Sequence, residues 1–301
     1  MASYNNDQKE IKTYGLTIRI TDSEYQRISS FIEQRTGIRL PPSKRVLVEG
    51  RLQKLLRKAG YDSFTPFLDR SIGRHANDSD TTLLIDLITT NKTDFFREAD
   101  HFTYFEQTLI AKAAKTQSMP VIKVWCAASS TGEEPYTLAM VLNELKLKGI
   151  IPDFEIIATD ISNQVLQKGI RAEYHYSRIQ PISESLRKKY LLKHKNKELK
   201  QVRIVKSLRD KVSFQPFNLI HSQWNDSKLF DAIFCRNVYI YFDRDTQFLV
   251  TKKLIQYLKA EGMLYLGHSE TLNGFDLPVK AVSNAVYKLD PNPTITKKNF
   301  K

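Results

Sequence analysis

Cysteine is scarce: Cys126 and Cys235 are the only two in 301 residues, and each sits in an apolar run that reads as a buried strand. Two such thiols make neither a disulfide framework nor a zinc motif. The six histidines are scattered, so no metal site is expected. Long apolar runs are missing as well, and nothing approaches the roughly 20 apolar residues that a membrane-spanning helix needs. The start, Met1 to Asp7, is polar and lacks the charged-then-apolar order of a secretory leader. Internal repeats and low-complexity tracts are absent. These absences leave a cytoplasmic globular chain, expected to be a monomer, long enough for one large domain and a smaller one.

Acidic residues are the minority, with 33 Asp and Glu against 46 Lys and Arg, a formal net charge of +13. The excess is uneven. From Arg187 to Lys211, eleven Lys and Arg stand against Glu198 and Asp210, so this segment alone carries +9. A basic stretch suits an acidic partner such as nucleic acid, lipid headgroups or a Glu-rich protein surface. The plain alternative is a solvated face that keeps the protein soluble.

Residues 11–90 read as helices only. Thr21-Asp-Ser-Glu24 is a capping-box pattern, followed by Tyr25, Ile28, Phe31 and Ile32 on one face, with Gly37 as the stop. Pro41-Pro42 opens a second helix, Ser43 to Ala59, ended by Gly60. Val48, Leu52, Leu55 and Leu56 share one stripe of it, and Lys44, Arg51, Lys54 and Lys58 fall on the neighbouring arc. Short helices around Phe64–Ser71 and Ser79–Thr89 complete a small bundle.

Beyond residue 90, strand-like runs alternate with helical patterns. Val121–Cys126 precedes a helix from Glu133 to Leu147, and Phe154–Thr159 precedes one through Leu166. Val212–Phe217 and Phe230–Cys235 follow, then a helix from Arg244 to Leu258, then Met263–Gly267 and Ala285–Leu289. Such alternation implies an α/β fold with a parallel sheet covered on both faces, binding its ligand at the carboxyl ends of the strands. Residues 174–211 break the pattern. Gln201 to Lys206 partly alternates there, which suggests a small inserted antiparallel β-subdomain rather than a structureless loop. The tail, 291–301, reads as disordered.

The strand ends hold the candidate chemistry. Small residues from Ala127 to Gly132 let a ligand approach the backbone at a helix start, but one glycine does not make a dinucleotide fingerprint. Glu133 and Glu134 occupy the place a phosphate would want at a helix N-terminus. They suit a ligand with a cation and hydroxyls; an ordinary capped helix is the alternative. Asp160, ending the second strand, fits a ribose acceptor or merely a helix cap. Asn218 ends the third strand, where an amide could read an adenine edge. Arg236, Asn237, Tyr239 and Tyr241 follow the fourth.

Four strings together point further: Thr89-Thr-Asn-Lys-Thr-Asp-Phe-Phe-Arg-Glu98, Trp125-Cys-Ala-Ala-Ser-Ser-Thr-Gly-Glu-Glu-Pro-Tyr136, Phe230-Asp-Ala-Ile-Phe-Cys-Arg-Asn-Val-Tyr-Ile-Tyr-Phe242 and Gly267-His-Ser-Glu270. In order and spacing they resemble the signature blocks of the chemotaxis receptor glutamate O-methyltransferases, the CheR family. The resemblance runs from about Thr21 to Leu289. It implies a helical N-terminal receptor-recognition domain (11–90) and a class I, Rossmann-like methyltransferase domain (91–290) with a mostly parallel seven-stranded sheet. The insert at 174–211 would be that domain's β-subdomain.

The resemblance also implies S-adenosylmethionine as cofactor, with S-adenosylhomocysteine as product. Asn91, Thr93, Arg97, Glu134, Asp160, Asn218, Leu219, Arg236 and Asn237 would line its site, with Arg97 and Tyr241 near the transferable methyl group. The partner would be the cytoplasmic helical bundle of a methyl-accepting chemotaxis receptor, with Lys44, Arg51, Lys54 and Lys58 as a docking stripe. Family members that dock on a C-terminal receptor peptide use a glycine-containing loop in the β-subdomain. No glycine lies between Gly169 and Gly262 here, so methylation without such a tether is expected. A nucleic-acid methyltransferase is disfavoured because Arg236-Asn-Val-Tyr239 stands where a proline-containing base-gripping string would be. A degenerate, non-catalytic adaptor is disfavoured by the intact Arg97, Asp160, Asn237 and Tyr241.

Overall fold

The computed structural model describes residues 18–224 and 228–290. The readings on the chain start, on residues 11–17 and on the tail 291–301 lie outside the described residues.

Four helices open the chain: α1 (Asp22–Thr36), α2 (Arg45–Ala59), α3 (Thr65–Ser71) and α4 (Asp78–Ile88). Thr21 and Glu24 form the reciprocal capping box at α1, and Gly37 closes that helix at φ +73°. Pro42–Lys44 makes a 3-10 turn, so the regular second helix starts at Arg45 rather than Ser43. Ile28, Ile32, Val48, Leu52 and Leu56 have no exposed surface, and each such side chain contributes about 1.5–3 kcal/mol.

A helix that the periodicity reading passed over follows, α5 (Asp100–Ala113). Its Phe102 and Phe105 pack on Phe234 of the sheet. Next come β1 (Ile122–Cys126), α6 (Glu133–Leu147), β2 (Phe154–Asp160) and α7 (Asn163–Arg171). The insert contains β3 (Glu173–His175), α8 (Glu184–Tyr190), β4 (Leu191–Lys193), β5 (Gln201–Ile204) and α9 (Lys206–Arg209). The chain returns through β6 (Val212–Pro216), β7 (Phe230–Phe234), α10 (Arg244–Ile255), β8 (Leu258–Tyr265), β9 (Val279–Ser283) and β10 (Val286–Leu289).

The main sheet has seven strands in the order β6-β2-β1-β7-β8-β10-β9. Pairing is parallel from β6 through β8, and β10 runs antiparallel to both β8 and β9. Buried clusters cover both faces, which defines the class I methyltransferase architecture. Strand order reverses beside β1, so the crevice opens at the carboxyl ends of β1, β2 and β7. The insert is a separate antiparallel sheet, β3-β5-β4.

Two boundaries shift. The helix expected to reach Leu258 ends at Ile255, and Leu258 already belongs to β8. The edge strand β9 was not read from the sequence because four of its five residues are exposed and it lacks an apolar face.

Candidate active site

The floor of the crevice is the turn after β1. Ser129 N donates to Thr159 O at 2.8 Å, and Ser130 N to Asp160 Oδ2 at 2.9 Å. Ser130 takes φ +46° and Gly132 φ +98°. A Cβ at Gly132 would stand 2.8 Å from Tyr174 Oη and 3.0 Å from Gly169 Cα, so only glycine lets α6 start this close to α7.

Asp160 is buried, and its two oxygens accept from Ser130 N and, at 3.0 Å, from Ser162 N. Burial pushes its carboxyl above the ordinary aspartate value, and backbone donors at Ser162, Ser130 and Ile161 pull part of that back. A carboxylate offers about four acceptor sites. Those left over can take the hydroxyls of a ribose.

At the other end, two carboxylates share one guanidinium. Arg236 Nη1 donates to Glu134 Oε2 at 2.8 Å and Nη2 to Glu98 Oε2 at 2.9 Å. Burial drives the Glu134 carboxyl up and Arg236 draws it back. At Glu98 burial also acts upward, but Asn237 and Arg236 outweigh it and hold the carboxyl low. Asn237 Nδ2 reaches Glu98 Oε1 at 3.1 Å.

The loop after β7 is fixed from below by Glu270, which is buried. It accepts from Gly267 N (2.6 Å), Tyr239 N (2.8 Å), Asn237 N (2.9 Å) and Ile240 N (3.4 Å). These bonds hold Asn237 at φ +58°, a conformation costing a non-glycine residue of order 1 kcal/mol. A Cβ at Gly267 would fall 2.3 Å from Asn237 Nδ2, so the two strands of this loop need a glycine at their closest approach.

The linker from Thr89 to Glu98 closes the crevice. Ser130 Oγ donates to Asn91 O at 2.9 Å, Phe96 N to Thr137 Oγ1 at 3.1 Å, and Arg178 to Thr93 O. Arg97 is half-buried and spends one hydrogen bond on Lys92 O, at 3.0 Å. Tyr241 ends the 3-10 turn Tyr239–Tyr241 and is also half-buried.

Asn91, Thr93, Arg97, Glu134, Asp160, Asn218, Leu219, Arg236, Asn237 and Tyr241 all line one cleft. The cleft opens to solvent. Two of the side chains singled out from the sequence also carry bonds within the chain. The Asn218 amide is already engaged, with Nδ2 donating to Arg35 O and Oδ1 accepting from Ile220 N and His221 N. One Nδ2 hydrogen remains beyond these bonds.

The basic stripe on α2 also divides. Arg51 is half-buried and bonds Ile88 O, Thr89 O and Thr90 Oγ1, which makes it a clamp on the linker. Lys44 lines the cleft, while Lys54 and Lys58 are exposed. Sequence reasoning assigned no role to Glu98 or Glu270. Both stand in the quoted strings, but only their burial and partners show what they do.

The donor set discriminates among ligands. The acid at the α6 N-terminus takes the place a phosphate would want and suits a cation, and Asp160 suits a diol. S-adenosylmethionine has both, and the residues present fit it. This fold with this cleft defines an S-adenosylmethionine-dependent methyltransferase.

Comparison with known proteins agrees. Residues 91–287 match the family model "CheR methyltransferase, SAM binding domain" and residues 23–89 match "CheR methyltransferase, all-alpha domain". The chain is 36% identical to a chemotaxis protein methyltransferase of Borreliella burgdorferi, covering 91% of this chain and 97% of that one. It is 35% identical to those of Salmonella typhimurium and Escherichia coli, covering 90% of this chain and 92% of each of those. The chain belongs to the CheR methyltransferase family, and it methylates in chemotaxis. Among the described residues no helix is long and apolar enough to cross a membrane.

Proposed function

We propose that the protein esterifies glutamate side chains on the helical bundle of a chemotaxis receptor, acting as a cytoplasmic monomer and without a C-terminal peptide tether. On this reading residues 11–90 recognise the receptor and 91–290, with the insert 174–211, carry out the transfer. The observation that carries it is Arg97, a cation on the cleft wall that commits one donor of its five-donor fork to Lys92 O.

Bound S-adenosylmethionine supplies a methyl group on a sulfonium, which a carboxylate can take by in-line displacement. A glutamate is already ionised at neutral pH, so the chain need supply no general base. Among the described residues no histidine lines the cleft. Arg97 orients the incoming carboxylate, Tyr241 hydrogen-bonds beside it, and the linker excludes water. Tether independence is supported by the β4–β5 connection, where Lys200 at φ +46° and a 3-10 turn at Lys197–Leu199 make the bend without glycine.

The test is transfer of labelled methyl groups to receptor-containing membranes. The expected product releases methanol in alkali and maps to glutamates, equally on intact and C-terminally truncated receptors. Alkali-stable label would overturn the ester assignment. A strong preference for the intact receptor would overturn tether independence.

A further inference from the structure

A second cluster lies behind the cleft, where the end of the linker meets the loop after β8. His101, in the first turn of α5, is 1% exposed. Its Nε2 lies 3.0 Å from Asn284 O, a partner that can only accept, so Nε2 carries the proton. Nδ1 of the neutral ring is then a bare lone pair, and it has no hydrogen-bond partner among the described residues. It lies 3.8 Å from Glu98 Oε2.

His268 meets His101 edge-on, with ring centroids 4.7 Å apart, and its own Nε2 is 3.0 Å from Asp100 Oδ2. One ligand-type atom each from Glu98, His101 and His268 lies within 4.8 Å of the others. Two imidazoles and a carboxylate form a donor set for a borderline divalent ion. Around tetrahedral zinc, with bonds of about 2.0–2.1 Å, ligand atoms stand roughly 3.4 Å apart. The Nδ1–Oε2 pair is close to that already, and exposed His268 can close the remainder. Asp100 behind His268 is the carboxylate that orients a ligating imidazole.

We propose that Glu98, His101 and His268 form a zinc site, with water in the fourth position, whose occupancy opposes cofactor binding. The opposition runs through Glu98. The same Oε2 accepts from Arg236 Nη2 and from His268 N, and Oε1 accepts from Asn237 Nδ2. Zinc draws the carboxylate off Arg236 and loosens the wall of the cleft. This coupling rests on Arg236 and Asn237 being cofactor contacts; the zinc site itself does not.

The experiment titrates untagged full-length protein with Zn²⁺ by calorimetry and with Co²⁺ by visible absorption, with and without S-adenosylhomocysteine. One equivalent is expected to bind, with the intense visible bands of four-coordinate cobalt. His268→Ala should weaken zinc at least about tenfold and leave metal-free methyl transfer unchanged. Asp100→Asn, at an exposed position, should weaken it less and serves if the first variant misfolds. Zinc should weaken S-adenosylhomocysteine about fivefold or more, and S-adenosylhomocysteine should weaken zinc by the same factor. No binding at about 100 μM zinc, or equal binding by the wild type and both variants, overturns the site. Unchanged S-adenosylhomocysteine affinity in the zinc-loaded protein overturns the coupling. Failure of S-adenosylhomocysteine to bind even without metal would fault the reading of the cleft instead.

Discussion

The two ends of the cleft are built in different ways. At the Asn237 end, Glu270 collects four backbone N–H groups, and Glu98 and Arg236 lock the side chains above them. All of this lies within the methyltransferase unit and is largely buried. At the Asn218 end the bonds cross to the helical unit: Asn218 Nδ2 to Arg35 O and His221 Nε2 against Gln34 O, both solvent-facing. There Ile220 sits where a Cβ on Gly37 would come within 2.9 Å. The Asn237 end is thus preorganised, while the other end depends on where the helical unit sits.

The largest expected effect comes from breaking the preorganised end. Glu270→Ala leaves buried N–H donors without an acceptor, at about 1–3 kcal/mol each before any water enters. A loss of about 3–5 kcal/mol is expected, lowering Tm by roughly 10 °C and abolishing cofactor binding near neutral pH. A melt within 2 °C or so of the wild type would mean that the loop holds its shape without Glu270.

Asp160, between the two ends, comes next. Asp160→Ala should weaken S-adenosylmethionine at least about tenfold, about 1.4 kcal/mol, while the fold stays intact. Its pH dependence has a definite sign. The carboxyl's pKa is raised by burial, and the ribose hydroxyls donate to the ionised form. Affinity should therefore fall as pH drops through that raised pKa, and Asp160→Asn should flatten the fall. Calorimetry across acidic pH checks both.

These contrasts show what could be read from the sequence. Asp160, Glu134, Arg236 and Asn237 were legible because each stands just past a strand or at a helix start, and an α/β sheet puts those places on the crevice. The strands were legible where both faces are buried, as in β7. Exposed β9 was not, and neither was α5. Partnerships across long separations were the main loss. That Glu270 serves the backbone 30-odd residues away, and that Asn218 and Arg51 bond carbonyls of the helical unit and the linker, depends on chain packing that periodicity does not encode. The helical arc of Arg51 was read correctly; its proximity to the linker was not visible.

Arg97→Ala and Tyr241→Phe sharpen the comparison at the proposed site of transfer, because neither side chain holds the loop in place. Both should lower the rate at saturating cofactor more than they lower cofactor affinity, Arg97→Ala by about tenfold or more. Wild-type turnover by Tyr241→Phe would remove that hydroxyl from the chemistry.

The smallest effect per residue is expected on the helical side, at the exposed Lys54 and Lys58 of α2. Each ion pair with an acidic receptor helix is worth no more than about 1 kcal/mol, so docking should be weak, additive and screened by salt. Lys54→Glu with Lys58→Glu should cut receptor methylation at low ionic strength and leave cofactor affinity unchanged. Arg51→Ala should do the reverse. Its guanidinium holds Ile88 O, Thr89 O and Thr90 Oγ1, so its loss slackens the linker bearing Asn91, Thr93 and Arg97 and weakens the cofactor first. Measuring both variants for cofactor affinity and receptor methylation separates a docking face from a clamp only one helical turn away. If the lysine reversal methylates receptors normally at low salt, α2 is not the docking surface, and the uncommitted charge to examine next is the basic insert around Lys193 to Lys200.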